Sequence, residues 1–354
     1  MANVTYLIGA GASAGKRKGA EIIEGLPCVN EIKRRLKMLI SAFQMAKFPT
    51  GFDWKNDQLE LNILQDWENA KSMIITDLQE LKEICERNAT IDTYAKKLRL
   101  KSNYAGLAYI ERLLTFYFVL EQILIAPDSR YDTFLANVLE EGMLFPENIK
   151  VISWNYDSQF EIAFDEYEQH FGLNIGSRIS AEEGKKYDII KVNGSARFNK
   201  MEFLPIMRNK WIKKIEESKE ELKSLDTVKV QILLGDIIIL YKLFVFHSNP
   251  TRENNTELSF AFDDTTNNDS IFSRINEIIG LTDVLVIIGY SFPFFNREID
   301  RKILNCLKPQ AKIYIQDKYP NRIKQSFKAI KNNIPDGHFE LKEETDQFFL
   351  PPEL

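Results

Sequence analysis

Four short stretches of this chain carry residue types able to do chemistry, and each follows an apolar, β-branched run. TYLIGAGASAG sets Gly9-x-Gly11-x-x-Ala14 behind Val4–Ile8. VISWNYDSQFE puts Asn155 and Asp157 where Val151–Trp154 stops. DIIKVNGSAR leads Ile189–Val192 into Asn193, Gly194 and Ser195. VLVIIGYSFPFFNREID places Gly289, Tyr290 and Ser291 after Val284–Ile288, with Asn296 opening a helix. Glycine allows tight turns and close backbone approach, so that main-chain N–H groups can bind a pyrophosphate. Amides hydrogen-bond sugar hydroxyls, and a carboxylate stabilises positive charge. At the C-terminal ends of strands, such residues suit a nucleotide bound by an open α/β sheet. Each stretch alone also has a plainer reading: a helix cap for Asn155 or Asp157, a tight turn for Asn193-Gly194, a strand terminus for Ser291.

Two sharper matches fail on single residues. A P-loop ending in Gly15-Lys16 needs glycine where Ala10 stands and Ser or Thr where Arg17 stands. A dehydrogenase-type fold needs a second strand ending in Asp or Glu about 20 residues on, to hold the ribose. That region reads GLPCVNEIKRRL, a loop entering a helix, and Glu31 falls on the helix. The glycine turn therefore belongs to a different nucleotide fold.

The elements that must position these residues follow from periodicity. Strands are predicted at Val4–Ile8, Val151–Trp154, Ile189–Val192, Val284–Ile288 and Lys312–Gln316. Helical spacing fills Glu31 to Ile125, continues over Tyr131–Glu141, and returns in WIKKIEESKEELKSL and NREIDRKILNCL. Residues 249–270 are polar and loop-like. Short apolar strands alternating with helices imply a parallel sheet with βα crossovers. The predicted fold is α/β, a Rossmann-like sheet domain over 1–30 and 146–354, with helical insertions at 31–145 and 200–280.

Composition narrows the function classes. The chain of 354 residues has a net charge of -5, and its nearest basic cluster, Lys16-Arg17-Lys18, is short, so nucleic acid is not indicated. The apolar run Val228–Phe246 carries Lys229, Asp236 and Lys242, which argues against a membrane span. A strand begins almost at the first residue, leaving no room for a signal peptide, and the expected location is the cytoplasm. Cys28, Cys85 and Cys306 lie far apart without a C-x-x-C pair, which speaks against a disulfide framework and a zinc ribbon. His170, His247 and His338 adjoin none of the motifs.

In this order, GAGASAG…GLP, SWNYDSQFE, KVNGSA and IIGYSFPFFNREID resemble the motifs of the sirtuin-like NAD-binding family. The likeness is closest to bacterial sirtuin-like proteins of phage-defence systems, which typically show GAG-x-S, T-N-Y-D, K-x-H-G-S and G-Y-S. It covers the sheet-forming parts and not the helical insertions. The resemblance implies that Gly9, Ala10, Gly11 and Ser13 bind the phosphates and ribose of NAD. It sets Asn155 and Asp157 beside the nicotinamide ribose, and Gly289, Ser291, Gln316 and Asp317 on the adenosine side. Pro27, Gly194, Ser195, Tyr290 and Asn296 complete the implied cofactor-binding set, and no metal is implied. Deacylating sirtuins carry four zinc-binding cysteines that this chain lacks. The implied activity is cleavage of NAD to nicotinamide and ADP-ribose or a cyclic product. It would serve antiphage defence by NAD depletion, in a homo-oligomer or with a partner subunit such as an ATPase or a nucleotide-sensing protein.

The chain departs from this pattern at Asn193, where the family has a catalytic histidine. An amide has no useful pKa and cannot act as a general base. A deacylase would suffer severely. NAD hydrolysis demands less, because nicotinamide leaves as a neutral group from a pyridinium and the transition state resembles an oxocarbenium ion. A general base contributes ~10²–10⁴-fold, and a loose transition state favours the smaller end. The expected roles are Asn155 orienting water or a ribose hydroxyl, Asp157 stabilising positive charge or fixing Asn155, and Asn193 hydrogen-bonding the ribose. The alternative is a catalytically inactive sensor of NAD or ADP-ribose, with Asn193 as its main support.

Overall fold

The computed structural model describes residues 1–47, 57–142, 144–170, 189–198, 213–215, 217, 226–247, 256–258, 260, 262 and 266–354. Its strands are β1 (Val4–Ile8), β2 (Arg17–Lys18), β3 (Glu21–Ile22), β4 (Ile149–Ser153), β5 (Ile189–Lys191), β6 (Gly194–Phe198), β7 (Thr256–Leu258), β8 (Val284–Ile288), β9 (Lys312–Gln316) and β10 (Phe339–Lys342). The helices are α1 (Val29–Met45), α2 (Asp57–Arg87), α3 (Ile91–Leu100), α4 (Tyr104–Leu124), α5 (Ser129–Val138), α6 (Gln159–His170), α7 (Asp226–His247), α8 (Thr266–Leu281), α9 (Arg297–Asn305) and α10 (Pro320–Ile330). Six strands form one parallel sheet in the order β10-β9-β8-β1-β4-β5, an α/β fold of Rossmann-like type with helical insertions. The chain divides into a sheet unit (Met1–Cys28, Ile125–Ser195, Ser259–Leu354) and a helical unit (Val29–Leu124, Ala196–Leu258).

Alternation along the strands feeds two apolar layers. Val4, Tyr6 and Ile8 of β1 and Val284, Val286 and Ile288 of β8 pack with Phe134 and Leu135 of α5 and Phe160 and Phe164 of α6. Leu7, Leu285, Ile287, Ile313 and Ile315 face the other layer, with Ile275 and Ile279 of α8, Leu304 of α9 and Phe327 of α10. A parallel sheet covered on both faces reads as unbroken apolar runs, which is why these strands are visible in the sequence. Three predicted strands sit where expected, at Val4–Ile8, Val284–Ile288 and Lys312–Gln316. The strand expected at Val151–Trp154 starts earlier, because Ile149 pairs with Val4. Strand β10 went unforeseen: only its first residue is buried, so no apolar run marks it.

The helical unit differs from expectation in extent. The stretches 31–145 and 200–280, read as separate insertions, contribute to one unit with boundaries at 29–124 and 196–258. Helices α5 and α8 belong to the sheet unit instead, because their apolar faces pack on its strands. Of the helix expected at 211–225, positions 213–215 and 217 are helical and the rest lies outside the described residues. The expected loop at 249–270 contains β7 and the start of α8.

Within the helical unit, Arg35 of α1 is 3% exposed and joins Glu121 of α4, at 3.1 and 2.8 Å, to Asp226 of α7, at 2.6 and 3.3 Å. A buried guanidinium is tolerable only with such partners. The apolar run Val228–Phe246 is helix α7, whose Lys229 donates to the Leu124 carbonyl at 2.6 Å. No helix among the described residues is long and apolar enough to cross a membrane.

Candidate functional site

Parallel register brings the predicted motifs to one edge of the sheet. Ile8 pairs with Ser153, and Ser153 with Lys191, so the segments after β1, β4 and β5 emerge side by side. The ladder runs past the strand ends, with Trp154 N–H donating to the Ile8 carbonyl at 3.0 Å and Val192 N–H to Ser153 at 2.9 Å. From β1 the chain adds β4 and β5 on one side and later β8, β9 and β10 on the other. The order thus reverses at β1/β8, the place where open sheets bind ligands.

At that point the glycine turn packs backbone against backbone on the loop after β8. Gly11 N–H donates to the Gly289 carbonyl at 3.0 Å, and Gly9 N–H to Ile288 at 3.0 Å. A Cβ on Gly289, whose φ is +59°, would lie 2.4 Å from Gly11 Cα, and one on Gly11 would lie 2.7 Å from Gly289 Cα. Glycine is required here by the meeting of two loops. This corrects the expectation that Gly9 and Gly11 offer their N–H groups to a pyrophosphate, since both donors are consumed within the protein. Ala10 is the exposed residue of the turn.

The turn presents Ser13, 2% exposed, as a hub. Its Oγ lies 3.0 Å from Asn155 Nδ2, 3.1 Å from Asp157 Oδ1 and 3.0 Å from the Tyr131 hydroxyl. A hydroxyl has one proton and two lone pairs. Toward an ionised Asp157 it donates, so it accepts from Asn155 and from Tyr131, whose phenol burial pushes well up and keeps protonated. That arrangement uses its whole capacity. Ser13 therefore holds Asn155 and Asp157 together.

Asn155 is oriented without ambiguity. Its Nδ2 also donates to the Gly9 carbonyl at 3.0 Å, and a carbonyl can only accept, so the NH2 faces the turn. No hydrogen bond among the described residues engages its Oδ1, which is left for another donor. The Asp157 carboxylate accepts from Ser13 and from the Gln159 N–H at 3.1 Å. Burial pushes its pKa up, opposed by the charge of Lys191, by Gln159 N–H and by Ser13. Lys191 donates to the Asp157 carbonyl and pairs with Glu161 at 3.3 Å.

Asn193 is buried, and its Nδ2 donates to the Trp154 carbonyl at 3.2 Å. That carbonyl belongs to the peptide leading into Asn155. Val192 and Asn193 form a turn that leads into Gly194, whose φ is +63°. It makes no hairpin between its flanking strands, because β6 pairs with β7 and not β5. Ser195 beyond it is buried.

The other predicted residues fall into separate clusters. Tyr290 stacks on Trp154 at 5.2 Å and 7°, donates to Asp300 Oδ1 at 2.8 Å and accepts from Asn296 Nδ2 at 3.1 Å. Asp300 is 2% exposed, its Oδ2 has no hydrogen-bond partner, and burial pushes its carboxyl up to about 8 against Tyr290 and Arg297. Tyr290 thus serves one oxygen of a buried acid, and Asn296 holds the Tyr290 hydroxyl. Gln316, expected on the adenosine side, is wholly occupied: Nε2 donates to the Glu344 and Gln347 carbonyls at 2.7 and 2.6 Å, and Oε1 accepts from Phe349 N–H at 2.9 Å. Asp317 accepts from Tyr319 N–H at 2.8 Å, and Ser291 is exposed. Pro27 is buried behind Leu26, whose N–H donates to the Ser13 carbonyl at 2.7 Å.

Three supporting residues escaped sequence reasoning. Gln159, the first residue of α6, lies two positions beyond Asp157; its Nε2 donates to the Ser13 carbonyl at 3.1 Å. Tyr131 and Arg130 reach the turn from 118 and 119 positions away, a separation that no local pattern reveals. Among the described residues no cluster of His, Cys, Asp and Glu could hold a metal. The fold and site define the class as a Rossmann-like α/β protein with a polar cluster at its switch point. No protein-family model matches the chain, and no curated protein matches it.

Proposed function

We propose that this chain cleaves the bond between nicotinamide and ribose in NAD, in the manner of the sirtuin-like family its motifs resemble. One observation carries the reading: Asn155 and Asp157 converge on Ser13 of the glycine turn, at the ends of adjacent parallel strands beside the switch point. The donor set fits a ribose carrying a cationic ring. Asn155 Oδ1 accepts from a ribose hydroxyl or the attacking water, and Asp157 lends negative potential while fixing Ser13. Water adds to the ribose C1′, the C–N bond breaks with its electron pair going to the pyridinium, and neutral nicotinamide leaves. The water proton passes to solvent, so no acid is needed at the leaving group. An internal nucleophile in place of water gives a cyclic product. Such an activity depletes NAD in its own cell, so it is held in check by a partner subunit, self-association or a ligand until defence requires it.

A second reading is favoured by one observation. The position that holds the family's histidine is Asn193, whose amide supports the Trp154 carbonyl and cannot take up a proton at neutral pH. On that reading the chain binds NAD or ADP-ribose as a sensor. Nicotinamide release from NAD separates the two, measured on the protein alone and with the products of neighbouring genes. Turnover that falls at least ~100-fold in Asn155→Ala supports the enzyme, in line with the loss of one preorganised polar group. NAD bound without release under every activating condition leaves the sensor.

A further inference from the structure

Arg130 lies outside every motif read from the sequence, yet its guanidinium grips the glycine turn from behind. Nη2 donates to the carbonyls of Gly11 and Ala12 at 3.0 and 3.2 Å. Nε and Nη2 hold the Asp128 carboxylate at 2.5 to 3.0 Å, and Nη1 donates to the Thr345 carbonyl at 3.0 Å. The group also lies over the Phe348 ring, 5.1 Å from its centroid. Asp128, 1% exposed, takes its own N–H to Gln159 Oε1 at 2.7 Å, and Gln159 Nε2 returns to Ser13 at 3.1 Å. The bonds close a ring: Arg130, Asp128, Gln159, Ser13, and back through Ala12.

We propose that Arg130 is a positioning residue that fixes the peptide planes of the glycine turn, and that the segment Glu344–Phe349 holds Arg130 in place. Gln316 supplies the anchor of that segment, since all its hydrogen-bonding groups are spent on Glu344, Gln347 and Phe349. This gives the amide at the end of β9 a purpose other than ligand contact. Only a guanidinium meets the demand. Its planar fork serves a carboxylate, two turn carbonyls and a third carbonyl at once, whereas the three N–H groups of lysine radiate from one atom. The ligand used below rests on the proposed NAD reading; the positioning role does not.

Hydrogen exchange of a peptide covering residues 7–16 tests it in Arg130→Lys, which keeps a cation beside Asp128. Loss of one charge-assisted bond predicts exchange about tenfold faster in Gly9–Ala14. Strands β8 and β9 should be unchanged. The double variant Asp128→Asn/Arg130→Gln removes the pair together, leaves no orphan charge, and should loosen the same peptide. Exchange within about twofold of the parent in both variants overturns the proposal, being less than one such bond. With NAD as substrate, Arg130→Lys should lower kcat/KM about tenfold, because the loosened turn carries the Gly9 carbonyl and the Ser13 Oγ that hold Asn155. An unchanged kcat/KM in Arg130→Lys, in a protein that turns NAD over, overturns it too. Faster exchange in the variant, with no effect of NAD on either protein, refutes the NAD reading alone.

Discussion

Replacing Ser13 by alanine removes a single oxygen and breaks three hydrogen bonds. The Tyr131 hydroxyl, on a residue 1% exposed, loses the partner that its burial demands. A buried polar group left unpaired costs about 1–3 kcal/mol. The Asp157 carboxylate keeps only Gln159 N–H on Oδ1; a hydrogen bond to a charged group is worth about 1.5–3 kcal/mol. Asn155 keeps its bond to the Gly9 carbonyl and loses least. The three losses share one atom and do not add in full, so the expected cost is about 3–4 kcal/mol. Tyr131→Phe removes the hydroxyl itself, leaves no orphan and lets Ser13 keep Asn155 and Asp157, so it should cost about 1 kcal/mol. Trp154, the one tryptophan of the sheet unit, reports urea unfolding of that unit once Trp54, Trp67 and Trp211 are replaced by phenylalanine. A Ser13→Ala cost no larger than that of Tyr131→Phe would show that Ser13 is no hub.

Asp300 makes stability depend on pH. Its carboxyl titrates near 8 when folded and near ~3.9 when unfolded. The folded chain therefore binds the extra proton, and this contribution is full below pH ~4 and lost as pH rises toward 8, by about 1.4 kcal/mol per unit. Asp300→Asn should flatten that slope and leave the protein more stable than the parent at pH 8; parallel stability curves would remove Asp300 as the cause. Gly289→Ala puts a Cβ 2.4 Å from Gly11 Cα at φ +59° and should cost at least about 3 kcal/mol. Gly337→Ala, with nothing within 4 Å, should change the melting temperature little. Equal melting temperatures for the two variants would refute the loop contact.

The sheet was legible because its central strands are buried on both faces, so Val284–Ile288 and Lys312–Gln316 announce themselves as apolar runs. Where most residues are only half-buried, as in β10, the signal disappears. Periodicity identified α5 as helical but not its partners, because Tyr131 and Phe134 would suit any apolar surface. The site was legible as a set of strand ends and not as a network. Asn155, Asp157 and the glycines stand out by type and place, whereas the role of Ser13 depends on Tyr131 and Asp157, far along the chain. Gln316 shows the reverse error. A polar residue at a strand end looks like a ligand contact until its three bonds to residues 344–349 are seen.

The helical unit has a consequence for how such a chain can change. Helices α1, α2 and α4 come from one segment and α7 from another, separated in sequence by part of the sheet unit. They are joined by Arg35 with Asp226, by Asp77 with the Tyr241 hydroxyl at 2.8 Å, and by Lys47 with Gln231 at 2.7 and 2.6 Å. The unit is one module written in two instalments. Excising either would leave the other without the partners of Arg35, Asp77 and Lys47 or of Asp226, Tyr241 and Gln231, so the pieces must be inherited, exchanged or lost as a pair.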